Sequence, residues 1–495
     1  MLLPNDAGCE MGSQTLTRTV LTWLLVFAAS CRDISQPVPS TSHPIVANAP
    51  RPDNRAGANA GAIVLRGTII TPTDVLKHGY IRIVNGRIVS ISERRPAVSN
   101  SIFLDTEGII LPGFVDVHNH LPWNALPRWT PPHLYANRYQ WRADPVFQQQ
   151  VSARFDDLIG DGDITGVGNI CDMNAYSELR ALVGGVTSIL TTHAVPCIHG
   201  LVRNLDYNSG FYGTTELDRE HIANAVQIPP PDSQKARENF VALARFAIRN
   251  PLYEALFLHV SEGVDSASLE EFTFGQSQRL LNPKGVIIHG IALGPSQFQA
   301  MATNGVSLVW SPRSNITLYG RTTDIASALD AGVRVALAPD WAISGSSNML
   351  DELHFADEWN RTHLAGRLTD RQLVDMVTSI PAREAGIDDE VGAIREGLRA
   401  DLLVIRGNHN APLRAVIEAD PGDVQLVLIE GVPLYGDRSA MRSFWSPGDL
   451  NEIPVSNERK ALARGAAGFV FSDVVARLML AFATEGVSLP SLTGR

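Results

Sequence analysis

The residues of this chain that could do chemistry stand out by what they follow. His118 and His120 lie one residue apart in "GIILPGFVDVHNHLPW", where an apolar run breaks at Pro112-Gly113, resumes as "FVDV" and ends in the two imidazoles. In an extended strand residues i and i+2 point to the same side, so both rings are aimed at one point. Three further apolar runs end in the same manner. "ALFL" ends in His259, with Glu262 three residues on; "GVIIHG" ends in His289; "VRVALAPD" ends in Asp340. Imidazole nitrogens and a carboxylate oxygen are the ligands expected of a divalent transition metal, and zinc accepts them while leaving a position open for water. One histidine after a strand is ordinarily hydrogen-bonded structure, but a set of them at the ends of separate runs points to a metal centre. His193 and His199, in "SILTTHAVPCIHG", either reach a substrate or are plain loop histidines. His43, His78, His221, His363 and His409 fall in linker, turn or helical contexts and receive no chemical role.

Such a constellation needs strands that deliver it to one place. Strands are expected over 114–117, 186–191, 256–258, 286–288, 307–310 and 333–338, and helices over "SQKARENFVALARFAIRN", "SLEEFTFGQSQRLL", "SALDAG" and "NMLDELHFADEWNRTH". Strand-helix alternation of this length predicts an α/β fold, a (β/α)8 TIM-like barrel over 112–388, whose functional groups stand at the carboxyl ends of the strands. Residues 62–111 alternate apolar and polar positions with turn signals at "VNGR" and "TEG", which predicts a small antiparallel β unit. The β character returns over 389–437 in "GAIREGLRADLLVI" and "DVQLVLIEGVPLYG". The two flanks are therefore expected to build one small β-sandwich domain, followed by a C-terminal extension over 438–495 that ends in the apolar helix "SDVVARLMLAFATEG".

Composition narrows the function classes. With 495 residues, 44% of them hydrophobic, the chain can bury a large core and more than one domain. Its net charge of −11, spread without long runs, argues against nucleic acid as a partner. From Met11, "MGSQTLTRTVLTWLLVFAASC" has a polar start, an apolar run from Val20 to Ala29 and small residues before Cys31, which resembles a bacterial lipoprotein signal. On that reading 1–31 is the signal, Cys31 carries the lipid and 32–61 is a flexible tether, so that the chain sits in the cell envelope or is secreted to the periplasm. Membrane contact is expected only through such an anchor. Four cysteines, at 9, 31, 171 and 197, are too few for a disulfide framework, and Cys171 and Cys197 are expected to be buried thiols.

"PGFVDVHNH", "GGVTSILTTHA", "HVSE", "HG", "SPRSN", "APDW" and "VGAIREGLRADLLVI" occur in the order seen in the amidohydrolase superfamily, and the resemblance covers roughly residues 62–437. The spacing of His259 and Glu262 is similar to the mononuclear branch, with its deaminases and triazine hydrolases. The resemblance implies that His118, His120, His259 and Asp340 hold one divalent ion, Zn2+ before Fe2+ or Mn2+. It also implies that Glu262 shuttles protons, that His289 orients the nucleophilic water or the substrate, and that Asp340 doubles as base. It implies a hydrolase of a non-peptide C–N bond acting on a small, heterocyclic molecule, often as a symmetric homo-oligomer.

Two alternatives stay open. One is a binuclear enzyme cleaving an amide, an N-acyl amino acid or a dipeptide; the other is a non-catalytic binding protein on the same barrel. A binuclear site in such relatives uses a strand lysine, but between His120 and His259 the only lysine is Lys235, at the start of a helical stretch. Trp310-Ser311 departs from the His-Cys type pair of many relatives. In "NALPRWTPPHLYANRYQWRADP", Trp129, Tyr135, Tyr139 and Trp141 either wall a pocket or cover the barrel top, and Arg203 and Asp206 are candidate substrate contacts.

Overall fold

The apolar runs become strands in the computed structural model, which describes residues 62–160, 169–190, 201–205, 222–223, 227–251, 253–464 and 469–493. A three-stranded sheet joins Phe114–Asp116, Val186–Ile189 and Arg203–Asn204, each pair parallel. A five-stranded sheet runs in the order Val335–Leu337, Ser307–Trp310, Gly285–His289, Ala255–Val260 and Ile222–Ala223, again all parallel. Short near-continuous apolar runs suit strands that are covered on both faces. Alternate residues accordingly enter two different cores. Val115, Phe257, Ile288, Val309 and Ala336 share one. Leu256, Leu258, Ile287, Leu308 and Leu337 belong to the larger one that packs against the helices. His259 follows Ala255 and Phe257 at two-residue spacing, so the strand carries it on the face of the smaller core.

Two helices that follow strands start on capping side chains. Asp265 accepts from the Ser268 amide at 2.9 Å to open Ser266–Ser277, and Asn348 accepts from the Asp351 amide at 3.1 Å to open Met349–His363. Lys235 is exposed in the first turn of the helix Gln234–Arg249, away from any strand end. No helix among the described residues is long and apolar enough to cross a membrane.

The flanks meet in one nine-stranded sheet, ordered Leu450–Val455, Glu458–Ala463, Val432–Asp437, Val424–Ile429, Leu402–Ile405, Ser101–Pro112, Ala62–Ile70, Val75–Val84 and Arg87–Ser92. Leu402–Ile405 pairs antiparallel with Ser101–Pro112, which joins the two ends of the chain in one ladder. Two expectations are corrected here. The N-terminal unit is not wholly antiparallel, because Ser101–Pro112 runs parallel to Ala62–Ile70. Alternation of apolar and polar residues reports which face is buried and carries no information on strand direction. Cys171 is not a free thiol but disulfide-bonded, and the other three cysteines lie outside the described residues. The sheet also continues past residue 437 through its last two strands, after which the helix Phe471–Thr484 packs on Ile170–Val183. Arg477 pairs with Asp172 at 2.6 Å across that contact. The signal and tether expected over 1–61, with Cys31, lie outside the described residues.

Candidate active site

His118, His120, His259, His289, Glu262 and Asp340 come together at the carboxyl ends of the parallel strands. Four atoms converge most closely. His118 Nε2 lies 3.1 Å from His259 Nε2 and 3.2 Å from Asp340 Oδ1, and His120 Nε2 lies 3.2 Å from the same carboxylate oxygen. A tetrahedral ion with bonds of about 2.0–2.1 Å holds its donor atoms roughly 3.3 Å apart, so these separations fit a zinc-sized ion. Burial and the neighbouring imidazoles of His289, His259 and His120 hold His118 well below the usual histidine range; burial, His289 and His120 do the same for His259. Both rings are therefore neutral and can offer a lone pair. His120 is the ligand candidate nearest solvent, with 17% of its side chain exposed.

The backbone is bent sharply where these groups leave the strands. Ser261, His289 and Asp340 all adopt positive φ, at 58°, 71° and 66°. Non-glycine residues in this region carry strain that surrounding contacts must offset. Those contacts are present. The Thr323 hydroxyl donates to the His289 carbonyl at 2.5 Å, and the Ser261 amide donates to Glu271 at 2.8 Å. The Asp340 amide donates to the His118 carbonyl at 3.1 Å. Gly263, at φ 150°, lets the chain pass against Ala136 and Asn137, where a Cβ would lie 2.4 Å from the Ala136 carbonyl oxygen.

One helix orients the site. Pro312–Tyr319 and its N-cap present Ser311, Ser314, Asn315 and Tyr319 at offsets that share a face. Each meets a different member of the cluster. Ser311 Oγ is 2.9 Å from His118 Nδ1, and Ser314 Oγ donates to Asp340 Oδ2 at 2.6 Å. Asn315 Oδ1 lies 2.9 Å from His289 Nδ1, and Tyr319 donates to Glu262 Oε1 at 2.7 Å. Outer contacts of this kind set ring orientation and ligand basicity. His259 differs, since its buried Nδ1 has no hydrogen-bond partner among the described residues. Asp116, also buried, accepts from the His118 amide at 3.1 Å and from Asn119 at 2.7 Å. Burial pushes its carboxyl up to about 8, against the pull of those two donors.

Several sequence candidates have other places. Arg203 does not reach the site: its guanidinium is buried against Asp401 and Glu430, tying the third parallel strand to the nine-stranded sheet. Asp206, His193 and His199 lie outside the described residues. Trp129 and Tyr135 are buried against each other, with ring centroids 6.2 Å apart. Tyr139 donates to Glu271 at 2.8 Å behind the loop that carries Glu262. Trp141 does approach the site, donating to Tyr319 at 2.7 Å and lying 5.7 Å from Trp341. Trp341 in turn lies 5.5 Å from His120 and 5.8 Å from Trp123. Ser314, Asn315, Tyr319, Trp123 and Trp341 were not assigned from sequence. The helical spacing of the polar residues in "SPRSNITLY" was the signal available for the first three.

Comparison with known proteins agrees with this geometry. Residues 258–434 match the model of the amidohydrolase family. A 5-methylthioadenosine/S-adenosylhomocysteine deaminase from Caldicellulosiruptor saccharolyticus is 24% identical over 415 residues, which are 76% of this chain and 93% of that relative. Among solved structures, a zinc-bound adenosine deaminase from Xanthomonas campestris aligns with a TM-score of 0.57 at 17% identity, over 85% of this chain and 98% of that one. Atrazine chlorohydrolase from Arthrobacter aurescens, complexed with zinc, aligns with a TM-score of 0.57 at 19% identity, over 75% of this chain and 95% of that one. These structures share a TIM-barrel-like α/β fold with the chain. The histidine-rich cluster at its strand ends and the matched residues make this chain similar to the amidohydrolase family over residues 258–434.

Proposed function

We propose that the chain is a mononuclear metal-dependent hydrolase that removes an amine from a small nitrogen heterocycle, with nucleosides of the adenosine type as the first substrates to test. The observation that carries this reading is the convergence of three imidazole nitrogens and the Asp340 carboxylate at separations of 3.1–3.2 Å, with Glu262 beside them. His118, His120, His259 and Asp340 hold the ion. When bound, it lowers the pKa of water towards ~7 and so supplies a nucleophile at neutral pH. Glu262 takes the proton of the attacking water and returns it to the nitrogen that leaves, while Asp340 offers a second carboxylate to the same proton. His289, whose Nε2 lies 3.8 Å from Glu262 Oε2, orients the group under attack. Trp341 beside His120, with Trp123 and Trp141 against it, suits a flat aromatic ring, which stacks on such faces.

The same reading covers the wider architecture. The eight parallel strands close into a (β/α)8 barrel, for which the parallel bridge between Asn119 and Asp340 is support, since it joins the first strand end to the last. The nine-stranded sheet folds over as a β-sandwich at its register shifts, such as those at Gly67/Ile69 and Val427/Leu428. The disulfide at Cys171 supports an oxidising compartment, in keeping with an envelope location through Cys31.

Elemental analysis of purified protein, alongside His118→Ala and Glu262→Gln, tests this function together with an ammonia-release screen over adenosine, 5'-deoxyadenosine, 5-methylthioadenosine and guanine. About one ion per chain, lost in His118→Ala, with turnover lost and metal kept in Glu262→Gln, is the expected result. Near two ions would favour the binuclear amide hydrolase. Folded protein that binds no ion would leave the binding-protein alternative.

A further inference from the structure

Tyr319 is buried, lies outside the motifs that resemble the family, and touches no ligand candidate. Its hydroxyl stands between two groups of fixed character. The Trp141 indole can only donate, and it does so to the Tyr319 oxygen at 2.7 Å. The phenol has one hydrogen, and the remaining neighbour at 2.7 Å is Glu262 Oε1. The chain of bonds therefore has one direction: indole N–H to phenol oxygen, phenol O–H to Oε1. Burial and the Glu262 carboxylate both raise the Tyr319 pKa well above the ordinary phenol, which keeps the hydroxyl a donor.

We propose that Tyr319, polarised by Trp141, selects which oxygen of Glu262 carries the transferred proton. A proton on Oε1 would point at a hydroxyl already donating there, and turning the phenol away would leave its O–H buried without an acceptor. An unmet buried donor costs about 1–3 kcal/mol, so protonation is directed to Oε2. Oε2 is the oxygen nearer His289 Nε2, at 3.8 Å, and so faces the ligand cluster. The carboxylate thus takes and returns the proton through one atom on the reacting side, while Oε1 stays anchored. Tyr319 is in this sense a positioning residue that acts through Glu262. The proposal rests on the reading of Glu262 as the proton shuttle.

Tyr319→Phe removes the donor and keeps the ring; Trp141→Phe removes the polarising bond and keeps an aromatic ring. With zinc-loaded protein and a compound that releases ammonia in the screen, Tyr319→Phe should retain one zinc per chain and an unchanged KM, while kcat falls ~10–100-fold. Trp141→Phe should fall less. A crystal structure of zinc-loaded Tyr319→Phe, which needs no substrate, should show the Glu262 carboxylate rotated so that Oε1 no longer points at position 319. Wild-type kcat in Tyr319→Phe with Glu262→Gln inactive, or an unmoved Glu262 carboxylate in the crystal, would overturn the proposal. Full turnover by Glu262→Gln alone would instead overturn the shuttle reading beneath it.

Discussion

Two buried polar regions of this molecule are built on opposite rules. At the strand ends, like atoms converge: Nε2 of His118 faces Nε2 of His259, and two imidazoles share one oxygen of Asp340. Where the third parallel strand meets the nine-stranded sheet, unlike charges alternate. Arg203 binds Asp401 and Glu430, Arg399 joins Glu430 to Glu390 at 2.8 Å, and Arg87 closes on Glu390 at 2.9 Å. In the second arrangement every cation has its anion, and the network holds two parts of the fold together. The first makes sense only around something that accepts several lone pairs at once. Polarity in a protein interior is thus informative by its pairing rather than by its amount.

The largest expected effect tests the self-paired region. Arg203→Met leaves Asp401, 2% exposed, without its guanidinium, and should cost ~3–5 kcal/mol in urea unfolding while metal content per folded chain stays the same. Replacing Asp401 as well, in Arg203→Met/Asp401→Leu, should recover much of that loss. If the single variant were as stable as the wild type, the network would not be the clamp described.

A smaller effect sharpens the site side. Glu352 is fully buried, and burial above all raises its carboxyl from 4.5 to about 7, with Ser346 and Arg313 pulling the other way. The folded chain then keeps a proton that the unfolded chain has already released. The contribution of this group to stability is whole below pH 4.5 and is lost as pH rises through about 7. Glu352→Gln should therefore match the wild type near pH 4 in thermal unfolding and exceed it at pH 8 by up to ~3 kcal/mol. Parallel melting profiles across that window would remove Glu352 as the cause. The smallest effect falls on the C-terminal helix, where Arg477 is 56% exposed beside Asp172. Arg477→Ala should cost less than ~1 kcal/mol, and less still in high salt, and should leave metal content and turnover untouched.

The ligand candidates were legible because each closes an apolar run, and a strand fixes the direction of its side chains by a two-residue period. The strand positions followed for the same reason, and six of them lie within a few residues of where the apolar runs placed them. Arg203 was misread because an arginine just past a strand looks the same in sequence whether its partner is a substrate or an acid about 200 residues later. Asp401 became its neighbour only through the pairing of Leu402–Ile405 with Ser101–Pro112. Cys171 was misread in the same way, since four irregularly spaced cysteines contain no record of which atoms meet.

Sequence alone therefore determined which groups could do chemistry, their ligand character, and the strand ends that carry them, all of which depend on local periodicity and side-chain type. Tertiary structure decided the rest. It made Ser311, Ser314, Asn315 and Tyr319 of one helix the partners of four different site residues. It brought Trp141, 178 positions away in the chain, onto Tyr319. It also set the parallel course of Ser101–Pro112 against Ala62–Ile70. These are contacts across long loops, and no local propensity encodes a distance between residues that only the packed chain makes neighbours.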